Sequence, residues 1–200
     1  MAPWSENKTM ERIVRIKRKS TIYPKRGFAI FGLMVPYPIN ILDWVSKNID
    51  KFKGPVQNAV IQKGDFQIMI VLGPNSRKDY HINQTEEIFF QLKGDMLLKY
   101  VDLLNEFREV KIPEGNIYLL PKCVPHCPIR YAGSIGIVIE QTRDIDQIDT
   151  LRWYCQQCKY TVHEVQFNCE DLDVQIARVI EEFSKNTEIK QCKRCGFMNE

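Results

Sequence analysis

No apolar run in this 200-residue chain approaches the ~18 residues a helix needs to cross a bilayer, so no membrane-spanning helix is expected. The start of the chain lacks a long apolar stretch followed by a small-residue cleavage site, which argues against a secretory signal. Histidine is scarce, with three in the whole chain, so any that cluster with other ligand-type residues carry weight. Strong net charge is also missing. The formal +3 is concentrated in residues 1–33, which hold eight Lys/Arg against two Glu; the remainder has 20 basic and 23 acidic residues, a balance of −3. That leader is too acidic for a mitochondrial presequence: Arg12, Arg15 and Arg18 fit one, whereas Glu6 and Glu11 do not. The run from Arg15 to Lys19 offers nucleic-acid contact, yet a short charge run is more often simply solvated. Met34, opening MVPYPINILDWV, reads as an alternative start, and residues 1–33 are expected to be disordered or peripheral.

What is present fits one main domain with a small appendage, since 44% hydrophobic residues suffice to bury a core. NILDWVSKNID, residues 40–50, places Ile41, Trp44 and Val45 at helical spacing behind an Asn cap. Short strand-like runs then follow closely: NAVIQK, FQIMIVL, EIFFQLK, MLLKYVDL, FREVKI, IYLLP and IGIVIE, punctuated by Gly64, Gly73, Gly94, Gly115 and Gly133. Many short strands at this spacing predict a mainly β, antiparallel double sheet or barrel, here bounded at 34–150 and followed by an appendage over 151–200.

Two of the three histidines fall in GPNSRKDYHINQTEEIFFQLKG and LLPKCVPHCPIR. His81 precedes Glu87 by six residues, and His126 comes from a distant segment. Side chains alternate along a strand, so Arg77, Asp79 and His81 share one face, Glu87, Phe89 and Gln91 another, and His126, Pro128 and Arg130 a third. Asn83-Gln84-Thr85 reads as a turn that returns Glu87 on the neighbouring strand opposite His81. Taken singly, each residue is more often a surface or core group. Together, two imidazoles and a carboxylate suit one face of a ferrous ion and leave other positions open.

Cys155-x-x-Cys158 and Cys192-x-x-Cys195 form two knuckles able to supply four thiolates to one tetrahedral metal, iron or zinc. A dithiol redox pair is the main rival, although no βαβ pattern surrounds it, and disulfides suit a secreted chain better than this one. Cys123, Cys127 and Cys169 read as small hydrophobes or incidental thiols, and His163 as structural. Between the knuckles, Leu172, Ile176, Val179, Ile180 and Phe183 lie on one face of an amphipathic helix expected to bridge them.

His81, Glu87, Gly94, the Pro113-Glu114-Gly115 turn and His126 resemble the two half-motifs of a cupin. PNSRKDYH, EEIFFQLKGDMLLK, LLPKCVPHCPIR and GIVIEQTR closely resemble the 3-hydroxyanthranilate 3,4-dioxygenase family, over about Ile39 to the C-terminus. The departures are HCPIR for the more usual HSPxR, Lys122-Cys123 before the late histidine, and the shorter form of the loop from Arg130 to Glu140. The resemblance implies a double-stranded β-helix (jelly-roll) barrel with a rubredoxin-like appendage and Fe(II) on His81, Glu87 and His126. It implies catalytic roles for Arg77 and Glu87. Arg130, Glu140, Glu87 and, after a one-residue gap, Asn58 would bind substrate, and Arg77 would face O2. The implied reaction is ring cleavage to 2-amino-3-carboxymuconate semialdehyde, en route to quinolinate and NAD, in a cytosolic, homodimeric enzyme without nucleic-acid or membrane partners. Two alternatives stand beside it. Another cupin dioxygenase or isomerase would share the triad without needing both arginines. A binding module using the cysteine cluster would need a basic stripe, whereas residues 155–200 carry mixed charge.

Overall fold

A computed structural model describes residues 36–169 and 171–199, and the elements below belong to the unit Ile39–Glu200. The leader and the alternative start at Met34 lie outside the described residues. Helix α1 spans Ile41–Lys47; Asn40 caps it, its side chain accepting from the backbone N–H of Asp43 at 3.0 Å. A 3-10 turn, Ile49–Lys51, follows. Eleven strands come next: β1 Asn58–Lys63, β2 Phe66–Leu72, β3 Tyr80–Ile82, β4 Glu87–Lys93, β5 Met96–Val101, β6 Phe107–Ile112, β7 Ile117–Leu120, β8 His126–Arg130, β9 Ile135–Gln141, β10 Ile148–Tyr154 and β11 Thr161–Asn168. Helix α2, Leu172–Lys185, follows the last strand. No helix among the described residues is long and apolar enough to cross a membrane.

The strands form two antiparallel sheets, β1-β2-β9-β4-β7 and β11-β10-β3-β8-β5-β6, the double-sheet architecture of a cupin jelly roll. Alternation assigns the faces. On β2, Met69 and Val71 join Phe89, Leu98, Val138 and Leu151 in the main core, whereas Ile70 and Leu72 point the other way and pack with Val45 and Phe52 beside α1. Gly94, with φ of +65°, supplies the left-handed position between β4 and β5.

The amphipathic helix expected after residue 170 is present, and its apolar face covers the main core. Leu172, Ile176, Ile180 and Phe183 are buried there, and Phe183 stacks on Trp153 with centroids 4.3 Å apart. Each such side chain stabilises the fold by about 1.5–3 kcal/mol before ordering costs. Strands β10 and β11 have no counterpart in the sequence reading, and position 150 falls within β10. The buried row of β10 includes Asp149, a charge that breaks the apolar pattern, and β11 shows no clean alternation.

Candidate active site and metal centres

Strands β3 and β8 meet at one register position, His81 opposite His126, which sets their rings 5.4 Å apart. Glu87 opens β4 in the other sheet. Its Oε1 lies 3.3 Å from His126 Nε2 and 3.6 Å from His81 Nδ1. The turn at Asn83-Gln84-Thr85 therefore carries the chain between sheets, and Glu87 meets His81 across the barrel. The neighbouring-strand pairing expected from sequence does not form, because β4 bonds with β7 and β9 while β3 bonds with β8 and β10. Among the described residues, two groups bring metal-ligating atoms within 4.8 Å of one another: this triad, wholly buried, and the four cysteines.

Each imidazole has one nitrogen engaged away from Glu87. His81 Nε2 lies 2.7 Å from Asp149 Oδ2, and a carboxylate only accepts, so the proton sits on Nε2 and the Nδ1 lone pair faces Glu87. His126 Nδ1 donates to the carbonyl of Val124 at 2.9 Å, leaving Nε2 free toward Glu87. Burial works against ionisation of Glu87, but His126 and His81 outweigh it and hold the carboxyl down to about 2. Burial likewise opposes charge on His126, and Glu87 overrides it to raise the imidazole.

Glu140 sits directly opposite Glu87 on β9. Burial first, then the Glu87 charge, pushes its carboxyl up to about 7 despite Arg143 beside it. Asn83 Nδ2 bridges the two acids at 2.6 and 3.0 Å, Gln67 donates to Glu140 at 3.1 Å, and Arg143 pairs with Glu140 at 2.7 Å. The same Arg143 grips both oxygens of Asp149, at 2.8 and 3.0 Å.

The two candidate arginines differ in kind. Arg77 is paired with Asp79 through two bonds of 2.6 and 3.2 Å. Arg130 is 2% exposed, has no acidic partner among the described residues, donates from Nη1 to Gln91 at 2.7 Å, and leaves Nε without any partner. Burial and then repulsion from Arg77 press against its charge. Gly136 makes the guanidinium's space, because a Cβ there would lie 2.0 Å from Nη1. His81, Glu87, His126, Arg77, Arg130, Glu140 and Asn58 all line one cavity of about 50 Å³, together with apolar side chains including Val71, Phe89, Leu172 and Ile176. Sequence reasoning missed Asp149, Arg143, Asn83 and Gln67; the trace of the first was a lone acid in the same alternating row as Leu151 and Trp153. Asp79 was placed on the right face but not recognised as the partner of Arg77.

Residues 33–184 match the profile of the 3-hydroxyanthranilic acid dioxygenase family. The chain belongs to this family. Curated relatives named 3-hydroxyanthranilate 3,4-dioxygenase include one from Neurospora crassa, 48% identical over 82% of this chain and 91% of that protein. Another, from Candida albicans, is 48% identical over 84% of this chain and 97% of that protein. Among solved structures, a cupin-2 domain containing protein from Shewanella frigidimarina aligns over 52% of this chain and 94% of its own, at 24% identity and a TM-score of 0.42.

The cysteines of this family member form two similar turns. Cys155 N–H donates to the carbonyl of Tyr160 and Cys192 N–H to that of Phe197, at 2.7 and 2.8 Å; the residue after each second cysteine, Lys159 or Gly196, has positive φ. Sγ atoms of Cys155 and Cys195, and of Cys158 and Cys192, are 3.6 Å apart, close to the edge of a tetrahedron with ~2.3 Å metal–sulfur bonds. All seven cysteines are free of disulfides.

Proposed function

We propose that this chain is an Fe(II)-dependent 3-hydroxyanthranilate 3,4-dioxygenase, converting 3-hydroxyanthranilate and O2 to 2-amino-3-carboxymuconate semialdehyde on the route to quinolinate and NAD. The observation that carries the reading is Arg130: a buried guanidinium with an unpaired Nε, in the same cavity as two histidines and a glutamate whose lone pairs converge. A buried cation without a counter-ion is costly, and a substrate carboxylate repays that cost through the planar fork of donors.

The donor set fits a ferrous ion, since two neutral nitrogens and one ionised oxygen leave positions open. His81, Glu87 and His126 would hold Fe(II), which would supply the one-electron chemistry needed to combine an electron-rich aminophenol with dioxygen. The protein's own groups do the rest. Arg130 binds the carboxylate and fixes the ring. Glu140, whose carboxyl burial and the Glu87 charge push up to about 7, is placed to hold a proton for the ring substituents or to accept one from them. Asn58 offers an amide at the cavity wall. Arg77, kept in place by Asp79, stabilises negative charge as it develops on oxygen. Phe89, Val71, Leu172 and Ile176 give the cavity an apolar wall against the ring. Cys155, Cys158, Cys192 and Cys195 hold a second iron or zinc that staples the C-terminal appendage and takes no part in ring cleavage.

We further propose that the chain works as a cytosolic homodimer. Oxygen-electrode measurement on the iron-loaded chain tests the activity. One O2 is expected per 3-hydroxyanthranilate, with a product absorbing in the near-UV, and none with His126→Ala. Iron-loaded protein that consumes no O2 with this substrate rejects the reading.

A further inference from the structure

We infer that Asp149, clasped by Arg143, is a positioning residue that orients His81 for metal binding and ties that ligand to Glu140 on the substrate side. This inference rests on the reading of His81, Glu87 and His126 as metal ligands. Its basis is a buried chain of hydrogen bonds that runs from behind His81 to Glu87. His81 Nε2 meets Asp149 Oδ2 at 2.7 Å, and Asp149 meets Arg143 Nε at 2.8 Å. Arg143 Nη2 meets Glu140 at 2.7 Å, Asn83 joins Glu140 to Glu87 at 3.0 and 2.6 Å, and the Glu87 carboxylate stands 3.6 Å from the bare Nδ1 of His81, across the position the metal would take.

Neither Asp149 nor Arg143 lines the cavity, so they act through the residues they hold. Asp149 is 0% exposed, and the Arg143 side chain is 2% exposed. Strand pairing fixes the acid: β10 runs against β3, with Leu151 opposite His81, which puts Asp149 within reach of the far side of the imidazole. A carboxylate behind a metal-ligating histidine sets the ring's tautomer and orientation and raises its basicity. Arg143 keeps that carboxylate from turning, because its Nε and Nη2 bond the two oxygens while Nη1 donates to the carbonyl of Gln141 at 2.8 Å. Since Nη2 also bonds Glu140, a shift of either acid is felt by the other.

The test is Mn(II) binding to the full chain with its four-thiolate site filled by zinc, followed by loss of the free-ion EPR signal; manganese prefers oxygen and nitrogen donors to thiolates. The wild type is expected to bind one Mn(II) that His126→Ala abolishes. Asp149→Asn removes the charge behind His81 and sacrifices either the imidazole bond or one prong of the Arg143 clasp. It is expected to bind Mn(II) roughly 10- to 100-fold more weakly. Nitrogen-15 NMR of the metal-free imidazoles is expected to place the His81 proton on Nε2 in the wild type. Should Asp149→Asn fail to fold, Arg143→Lys, which keeps the carboxylate and loosens its clasp, is expected to weaken Mn(II) several-fold. A folded variant with a lowered melting temperature but wild-type Mn(II) affinity overturns the inference while leaving the metal site standing. Mn(II) binding that survives His126→Ala overturns both.

Discussion

Replacing Gly136 by alanine would place a methyl carbon 2.0 Å from Nη1 of Arg130, 2.5 Å from Oε1 of Gln91 and 2.9 Å from Cζ of Arg130. Ordinary contact begins at about 3.4 Å, so the guanidinium has to retreat by roughly 1 Å or more. Such a shift breaks the 2.7 Å bond to Gln91 and carries the fork away from the place proposed for the substrate carboxylate. Gly136 itself has no positive φ, so the backbone tolerates alanine and the damage falls on the side chains opposite. A hydrogen bond to a charged group contributes about 1.5–3 kcal/mol. Losing one weakens binding about 10- to 150-fold at RT of ~0.59 kcal/mol. The assay is anaerobic titration of the metal-loaded protein with 3-hydroxyanthranilate and with 2-aminophenol, which lacks the carboxylate. Gly136→Ala is expected to lose affinity for the first, to change little toward the second, and to retain Mn(II) binding as the sign of an intact triad. An unchanged ratio of the two affinities refutes the assignment of Arg130 to the carboxylate.

Arg77→Ala strands Asp79, which is 0% exposed, and breaking one side of a buried pair costs about 3–5 kcal/mol. Urea denaturation should show that loss, and a change below ~1 kcal/mol would mean the pair is solvated after all. In variant protein kept folded at low temperature, the step involving oxygen is expected to slow more than substrate binding weakens. Cys155→Ser is expected to abolish metal at the four-thiolate site and lower thermal stability while the turnover rate of folded protein stays near wild type; a folded variant without turnover would make that centre catalytic.

Much of this was readable in the chain because local spacing carried it. His81 and Glu87 lie six residues apart around a turn-forming triplet, and Cys155-x-x-Cys158 with Cys192-x-x-Cys195 declares a thiolate cluster without any knowledge of the fold. Strands β1, β2, β4, β5, β6, β7 and β9 follow the seven apolar runs, whereas the short β3 and β8, which carry the histidines, do not stand out as such runs. Other features depend on register between distant strands, which no single-chain pattern encodes. Asp149 is 68 positions from His81 and 9 from Glu140, and only the pairing of β10 with β3 makes it a partner of the former. The transfer of Glu87 to the opposite sheet is of the same kind: alternation predicts which face a side chain takes, but not which strand lies beside it.

The charges around the cavity explain why metal and substrate belong together. Three guanidinium groups, Arg77, Arg130 and Arg143, face four carboxyls, Asp79, Asp149, Glu87 and Glu140. Burial and the Glu87 charge raise the Glu140 carboxyl to about 7, and Asp79, Asp149 and Glu87 offset the three guanidinium groups. A divalent cation on the triad adds two positive charges in a region where water cannot screen them. A substrate that brings an ionised carboxylate to Arg130 and an ionised phenol to the metal supplies the two negative charges that restore the balance. Affinity for 3-hydroxyanthranilate is therefore expected to depend on the metal being in place, whereas the metal, gripped by an ionised Glu87 and two oriented imidazoles, needs no substrate to bind.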